Sequence, residues 1–317
     1  MAERLGRGLQ NLVQRFKSAR DLPFFLQMPQ MEELKKILRF IGLLLVFAIL
    51  ILLVFILITL SENLSDLNPE TEDWKLVWSD EFDYSGLPDE KHWSFVQGDG
   101  CPELCGWGNN ESQFYTQNKL RNARVENDML TIEAHQENIG SREFSSAKLV
   151  TKGKHNMLNG RLEVRAKNPK GVGTWPAIWM MPVNNIYGKW PKSGEIDIME
   201  HVGYAKDSIY GTIHCEAYNH MIGTQKVGNI SVTDNESGFH NYILEWDQEA
   251  LRWYVDTTLF HTFSNIDASS KEWPFDQDFY LILNLAVGGN WGGSMGIDTL
   301  AFPAKFEIDY VRYFEKE

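Results

Sequence analysis

The sequence predicts an all-β domain, a sandwich, jelly roll or barrel, over residues 73–317, preceded by one membrane-spanning helix. Three observations predict it. Beyond residue 72, short alternating runs recur between Gly, Asn, Asp and Pro, and no long amphipathic helix interrupts them. Phe40 to Leu60 is an unbroken uncharged stretch rich in Leu, Ile, Val and Phe. The chain has 317 residues, 43% hydrophobic and 23% charged, which excludes a wholly disordered, collagenous or multi-pass membrane protein.

The N-terminal part divides by charge. Residues 1–39 carry eight basic and four acidic side chains, residues 40–60 carry none, and the rest of the net charge of -13 falls on 61–317. An apolar helix of about 20 residues crosses the hydrocarbon core. A cleaved signal peptide would show a shorter apolar region and a small-residue site after it, and Ser61-Glu62-Asn63-Leu64 offers none. The span is therefore expected to be an uncleaved signal-anchor. Lys35, Lys36 and Arg39 before it keep the N-terminus cytoplasmic by the positive-inside rule. The expected organisation is a basic tail over 1–39, a span over 40–60, a polar linker over 61–72 and an extracellular or lumenal domain over 73–317. The acidic balance and the absence of a Lys/Arg-rich tract argue against a nucleic-acid partner.

The β reading rests on runs such as Trp74–Trp78, Met129–Glu133, Gly160–Lys167, Tyr210–Cys215, Tyr242–Trp246, Phe279–Val287 and Phe306–Phe314. Successive side chains of a strand point to opposite faces. Arg161, Glu163 and Arg165 thus oppose Leu162, Val164 and Ala166, and Tyr210, Thr212 and His214 oppose Gly211, Ile213 and Cys215. Each strand offers an apolar row to a core and a polar or aromatic row to the other side. Such a row lines either a ligand cleft or a solvated outer sheet.

Gly194–Gly203 reads GEIDIMEHVG. Glu195 and Asp197 share a face, but a regular strand would turn Glu200 into the core, where an unpaired carboxylate is costly. A β-bulge near Met199 returns it to the polar face, and bulges re-aim side chains in this way. Three neighbouring carboxylates cannot all ionise freely, so their pKa values separate. One ionised and one protonated carboxyl group is what glycoside cleavage requires. The pattern alone also fits an acidic surface strand or a divalent-cation site. Trp175 and Trp179, four residues apart, and Trp291 within GGNWGG supply aromatic faces of the kind on which sugar rings stack.

With these residues in view, the region resembles glycoside hydrolase family 16, in particular its laminarinase-like endo-β-1,3-glucanases. The matching segments are WSDEFDYSG (78–86), WGNNESQFYT (107–116), GRLEVRAKNPKGVGTWPAIWMMP (160–182), GEIDIMEHVG (194–203), YGTIHC (210–215), FHNYILEW (239–246), LNLAVGGNWGG (283–293) and IDYVRYF (308–314). They follow the expected order over nearly all of 74–317.

The resemblance implies a concanavalin A-like β-jelly-roll sandwich with a concave substrate cleft. It also implies a retaining double-displacement mechanism on β-1,3-linked or mixed β-1,3/1,4 glucan, with Glu195 as nucleophile, Glu200 as general acid/base and Asp197 between them. Trp175, Trp179, Arg165, His214, Asn110 and Trp291 match positions that line the sugar sites. No cofactor is expected for catalysis. A structural calcium ion is implied away from the cleft, near Glu81 and Asp309. A β-glucan-binding protein without activity and a transglycosylase are the alternatives, and the presence of all three carboxylates argues against the first. Cys101 and Cys105 could staple the loop before Trp107, while Cys215 should be an inert buried thiol.

Overall fold

A computed structural model of the chain describes residues 74–266 and 269–317, together with helical positions 36, 39–44, 47 and 49–52. The chain divides into two compact units, Met1–Glu72 and Asp73–Glu317.

In the first unit the expected span is corrected. Among the described residues no helix is long and apolar enough to cross a membrane. An apolar run in sequence establishes hydropathy, not a continuous helix of spanning length. The transmembrane helix, the signal-anchor, the membrane as partner, the single-pass topology and the anchored form of the activity are withdrawn with it. Most of the tail expected over 1–39, the linker over 61–72 and several positions of 40–60 lie outside the described residues.

The second unit is built of strands. In chain order they are β1 (Trp74–Asp80), β2 (Ser94–Phe95), β3 (Gln113–Tyr115), β4 (Ala123–Glu126), β5 (Met129–Ile139), β6 (Arg142–Ser146), β7 (Lys148–Val150), β8 (Gly160–Lys167) and β9 (Thr174–Pro182). The series continues with β10 (Glu195–Glu200), β11 (Ser208–His214), β12 (Lys226–Ser231), β13 (His240–Trp246), β14 (Ala250–Val255), β15 (Thr258–Ser264), β16 (Phe279–Val287) and β17 (Ala304–Lys316). They form two sheets, consistent with the jelly-roll-like fold expected. The larger runs β15-β14-β13-β8-β17-β5-β6-β3, with β1 on β17 and β4 on β5; the smaller runs β12-β11-β10-β9-β16-β7-β2.

Alternation decides what the two sheets bury between them. In β8, Leu162, Val164 and Ala166 are buried while Arg161, Glu163 and Arg165 are half-exposed. Cross-strand neighbours then match apolar to apolar, as in Leu162 with Leu244 and Val164 with Tyr242. β16 sits between β9 and β7 in the smaller sheet and is buried along nearly its whole length, so it reads as a continuous apolar run. Side chains from the two sheets meet across the core, for example Trp246 edge-on to Phe279 at 5.4 Å.

Candidate active site

The site is built on β10, the third strand of the smaller sheet. Against β11, Glu195 pairs with His214, Ile196 with Ile213 and Asp197 with Thr212; the ladder then shifts, and Glu200 meets Tyr210. Against β9 the register shifts between Asp197 and Met199. The bulge expected near Met199 is thus present. Its effect is visible in the packing: Ile196, Ile198 and Met199 all enter the core, two of them consecutive. Glu200 is thereby returned to the face that carries Glu195 and Asp197.

Each carboxylate has its own surroundings. Trp190 Nε1 donates to Glu195 Oε2 at 2.8 Å, and Trp175 Nε1 donates to Glu200 Oε1 at 3.1 Å. His214 Nε2 lies 3.4 Å from Asp197 Oδ2 and 3.9 Å from Glu195 Oε1. Asp197 Oδ2 is buried without a hydrogen-bond partner. Burial, with the charge of Asp197 added, pushes Glu195 up to about 7, while His214, Trp190 and Lys148 pull the other way. Burial pushes Asp197 up to about 8. Burial, with Asp197 again added, holds Glu200 well above the ordinary carboxylate range. All three carboxyl groups are thus held above the ordinary carboxylate range, and their closeness keeps them from ionising together.

Aromatic side chains flank this row on both sides. Trp291 stands edge-to-face between Trp175, at 5.5 Å, and Tyr210, at 5.1 Å. Trp179 donates to Asn284 Oδ1 at 2.6 Å, and its ring carries the Lys148 ammonium 4.6 Å from its centre. Trp107 lies 4.8 Å from the same ammonium. Asn110 donates to Asn290 Oδ1 at 2.8 Å, tying its loop to the glycine-rich loop of Trp291. Trp190, Lys148, Trp107 and His220, whose ring is 5.2 Å from that of Trp190, were not singled out by sequence reasoning. Trp190 lies outside any alternating run, and β7, which carries Lys148, is only three residues long.

Not every residue predicted for the site is brought there. Arg165 lies on β8 in the larger sheet, where it pairs with Asp309 and covers the Phe239 ring at 5.1 Å. Glu81 accepts two hydrogen bonds from Arg312, at 2.9 and 2.8 Å. Cys101 and Cys105 form a disulfide, and Cys215 is a buried free thiol. His201, next to Glu200, is fully buried, with its ring nitrogens 3.0 Å from the Ser208 carbonyl and 3.4 Å from Glu236. It is a structural residue.

Glu195, Asp197 and His214 hold ligand-capable atoms within 4.8 Å of one another, a group that could hold a metal ion.

Comparison with known proteins agrees with the geometry. The profile of glycosyl hydrolases family 16 matches residues 110–312. A beta-glucanase of Rhodothermus marinus is 50% identical over 257 residues, covering 79% of this chain and 88% of that protein. A glucan endo-1,3-beta-glucosidase of Cryptopygus antarcticus is 40% identical over 255 residues, covering 75% of this chain and 91% of that protein. The laminarinase structure from Rhodothermus marinus aligns with a TM-score of 0.75 at 49% identity, over 78% of this chain and all of the other. The chain belongs to glycosyl hydrolases family 16 and is a glycoside hydrolase acting on O-glycosyl bonds, of the endo-β-1,3-glucanase type.

Proposed function

We propose that this enzyme cleaves β-1,3-linked glucan, internally and with retention of configuration, using Glu195 as nucleophile and Glu200 as general acid/base. The observation that carries the reading is the bulge in β10, which puts Glu195, Asp197 and Glu200 on one face with graded proton affinities. A Glu195 oxygen attacks the anomeric carbon and forms an ester bond as the glycosidic C–O bond breaks. The proton of Glu200 goes to the departing oxygen. Water then attacks the anomeric carbon, gives its proton to Glu200 and releases Glu195. Asp197 holds its proton between the two and hydrogen-bonds the nucleophile. Trp175, Trp179 and Trp291 offer faces for the sugar rings, and Asn110 and His214 offer polar atoms beside them. The glucan substrate is supported by the relatives named above, a beta-glucanase and a glucan endo-1,3-beta-glucosidase.

Arg165 has no part in sugar binding from where it stands. A structural calcium ion at Glu81 and Asp309 is a separate proposal with a condition attached. Both carboxylates hold guanidinium groups, so they do not fit a cation as placed, and no step above runs through one.

The test is release of reducing ends from laminarin by the full chain and by Glu195→Gln. Release by the parent alone supports the reading. No release by the parent, or equal release by the variant, overturns it.

A further inference from the structure

The bulge that aims Glu200 is held from the opposite sheet. Trp253, on β14, is fully buried, and its Nε1–H crosses the core to donate to the backbone carbonyl of Asp197 at 2.9 Å. That carbonyl sits where the ladders on both sides of β10 lose register. A buried indole N–H and a buried carbonyl each need a partner, and here they supply one another.

Room for this reach comes from one residue. Gly211 lies between Thr212, the partner of Asp197, and Tyr210, the partner of Glu200, so it faces the two bulged residues Ile198 and Met199. A Cβ on Gly211 would stand 2.7 Å from Trp253 Cδ1, too close for the indole to stay in place, and 3.1 Å from Phe260 Cζ. On its other side the Trp253 ring packs on His261, with centres 4.8 Å apart.

We propose that Trp253 is a positioning residue for the reaction, with Gly211 as the space it requires. Its hydrogen bond to the Asp197 carbonyl fixes the bulge, and the bulge sets where Glu200 points. This rests on the reading of Glu200 as the general acid. Trp253 touches no substrate; its influence reaches the leaving oxygen only through the direction of that carboxyl group.

The experiment compares two substrates in the full chain, Trp253→Phe and Gly211→Ala. One is laminarin, whose leaving oxygen needs a proton. The other is a dinitrophenyl β-glycoside of laminaribiose, whose leaving group needs none. Trp253→Phe keeps an aromatic ring in the core and removes the donor. Gly211→Ala keeps the donor and displaces the ring, and it serves if the first variant fails to fold.

For a misaimed general acid, kcat/KM on laminarin should fall roughly ten- to a hundredfold, while kcat/KM on the aryl glycoside, which reports only the first step and needs no proton there, loses less than about threefold. Equal losses of kcat/KM on both substrates, or no loss on laminarin, overturn the inference and leave Trp253 as core packing. A parent inactive on laminarin would instead overturn the proposed function, so the two failures are distinguishable.

Discussion

Trp190 donates its indole N–H to Oε2 of Glu195 at 2.8 Å, from a turn just ahead of the strand that carries the carboxylate. A hydrogen bond to an ionised acceptor is worth about 1.5–3 kcal/mol, more than one between neutral groups. The bond both orients Glu195, the proposed nucleophile, and lowers its proton affinity against the effect of burial. Trp190→Phe should keep the ring beside His214 and His220 and lose the donor. The expected result is a fall in kcat on laminarin of roughly ten- to a hundredfold, with circular dichroism unchanged. An unaltered kcat would remove Trp190 from the nucleophile's support.

The graded carboxylates fix the shape of the pH–rate profile. As the proposed nucleophile Glu195 must be ionised to attack, and burial pushes it up to about 7, so kcat/KM should fall on the acid side through that value. Glu200, the proposed general acid, must keep its proton and is held well above the ordinary range, and Asp197 is pushed up to about 8. Loss of activity on the alkaline side should therefore begin above about 8. The limbs are properties of the coupled row rather than of single residues. A profile on laminarin that stays flat from about pH 5 to about pH 7 would contradict the buried nucleophile.

Burying that row costs stability in a pH-dependent way. Glu195 is raised from 4.5 to about 7 in the folded chain. Between those values the folded chain binds a proton that the unfolded chain has released. Its contribution is therefore fully present below the lower value and lost as pH rises through the upper one. The loss is about 3 kcal/mol for a shift of this size. Glu195→Gln has no charge to bury. Scanning calorimetry should show the variant melting above the parent at about pH 8 and level with it at about pH 4. Equal melting temperatures at both would mean that the nucleophile is ionised at little cost.

Much of this arrangement is legible in the sequence. Alternation separates the buried row of β8 from the half-exposed one, and the odd offset of Glu200 demands the bulge. What alternation does not carry is which sheet a strand joins. Arg165 was placed on a polar face correctly, but β8 belongs to the larger sheet, so that face looks away from Glu195. Pro176 concealed β9, because proline removes a ladder donor. It is tolerated because it falls one residue past the last β10 pair, Ala177 with Glu200, where its carbonyl still accepts from His201 N–H at 3.3 Å. Trp190 lies in a turn and Trp107 in the 3-10 segment Cys105–Gly108, where no periodicity marks a side chain as functional. Trp107 adopts a left-handed φ of 55° that only the folded loop explains.

Lys148 joins the aromatic walls to the carboxylates. Its ammonium lies between the Trp107 and Trp179 rings, at 4.8 and 4.6 Å, and it interacts electrostatically with Glu111 and Glu195. Burial lowers it to about 8, and the two carboxylates oppose that fall. Two consequences follow from replacing it by an uncharged side chain of similar length. Lys148→Met removes a positive charge that favours ionised Glu195, so the acid limb of the kcat/KM profile should move to higher pH. It also removes a cation held against two rings, worth about 1–2 kcal/mol when desolvated, so the rings should lose their fixed spacing and KM for laminarin should rise several-fold. Lys148→Arg keeps the charge and should restore the acid limb, though its planar head need not restore KM. An acid limb unmoved in Lys148→Met would show that the ammonium serves the aromatic walls alone.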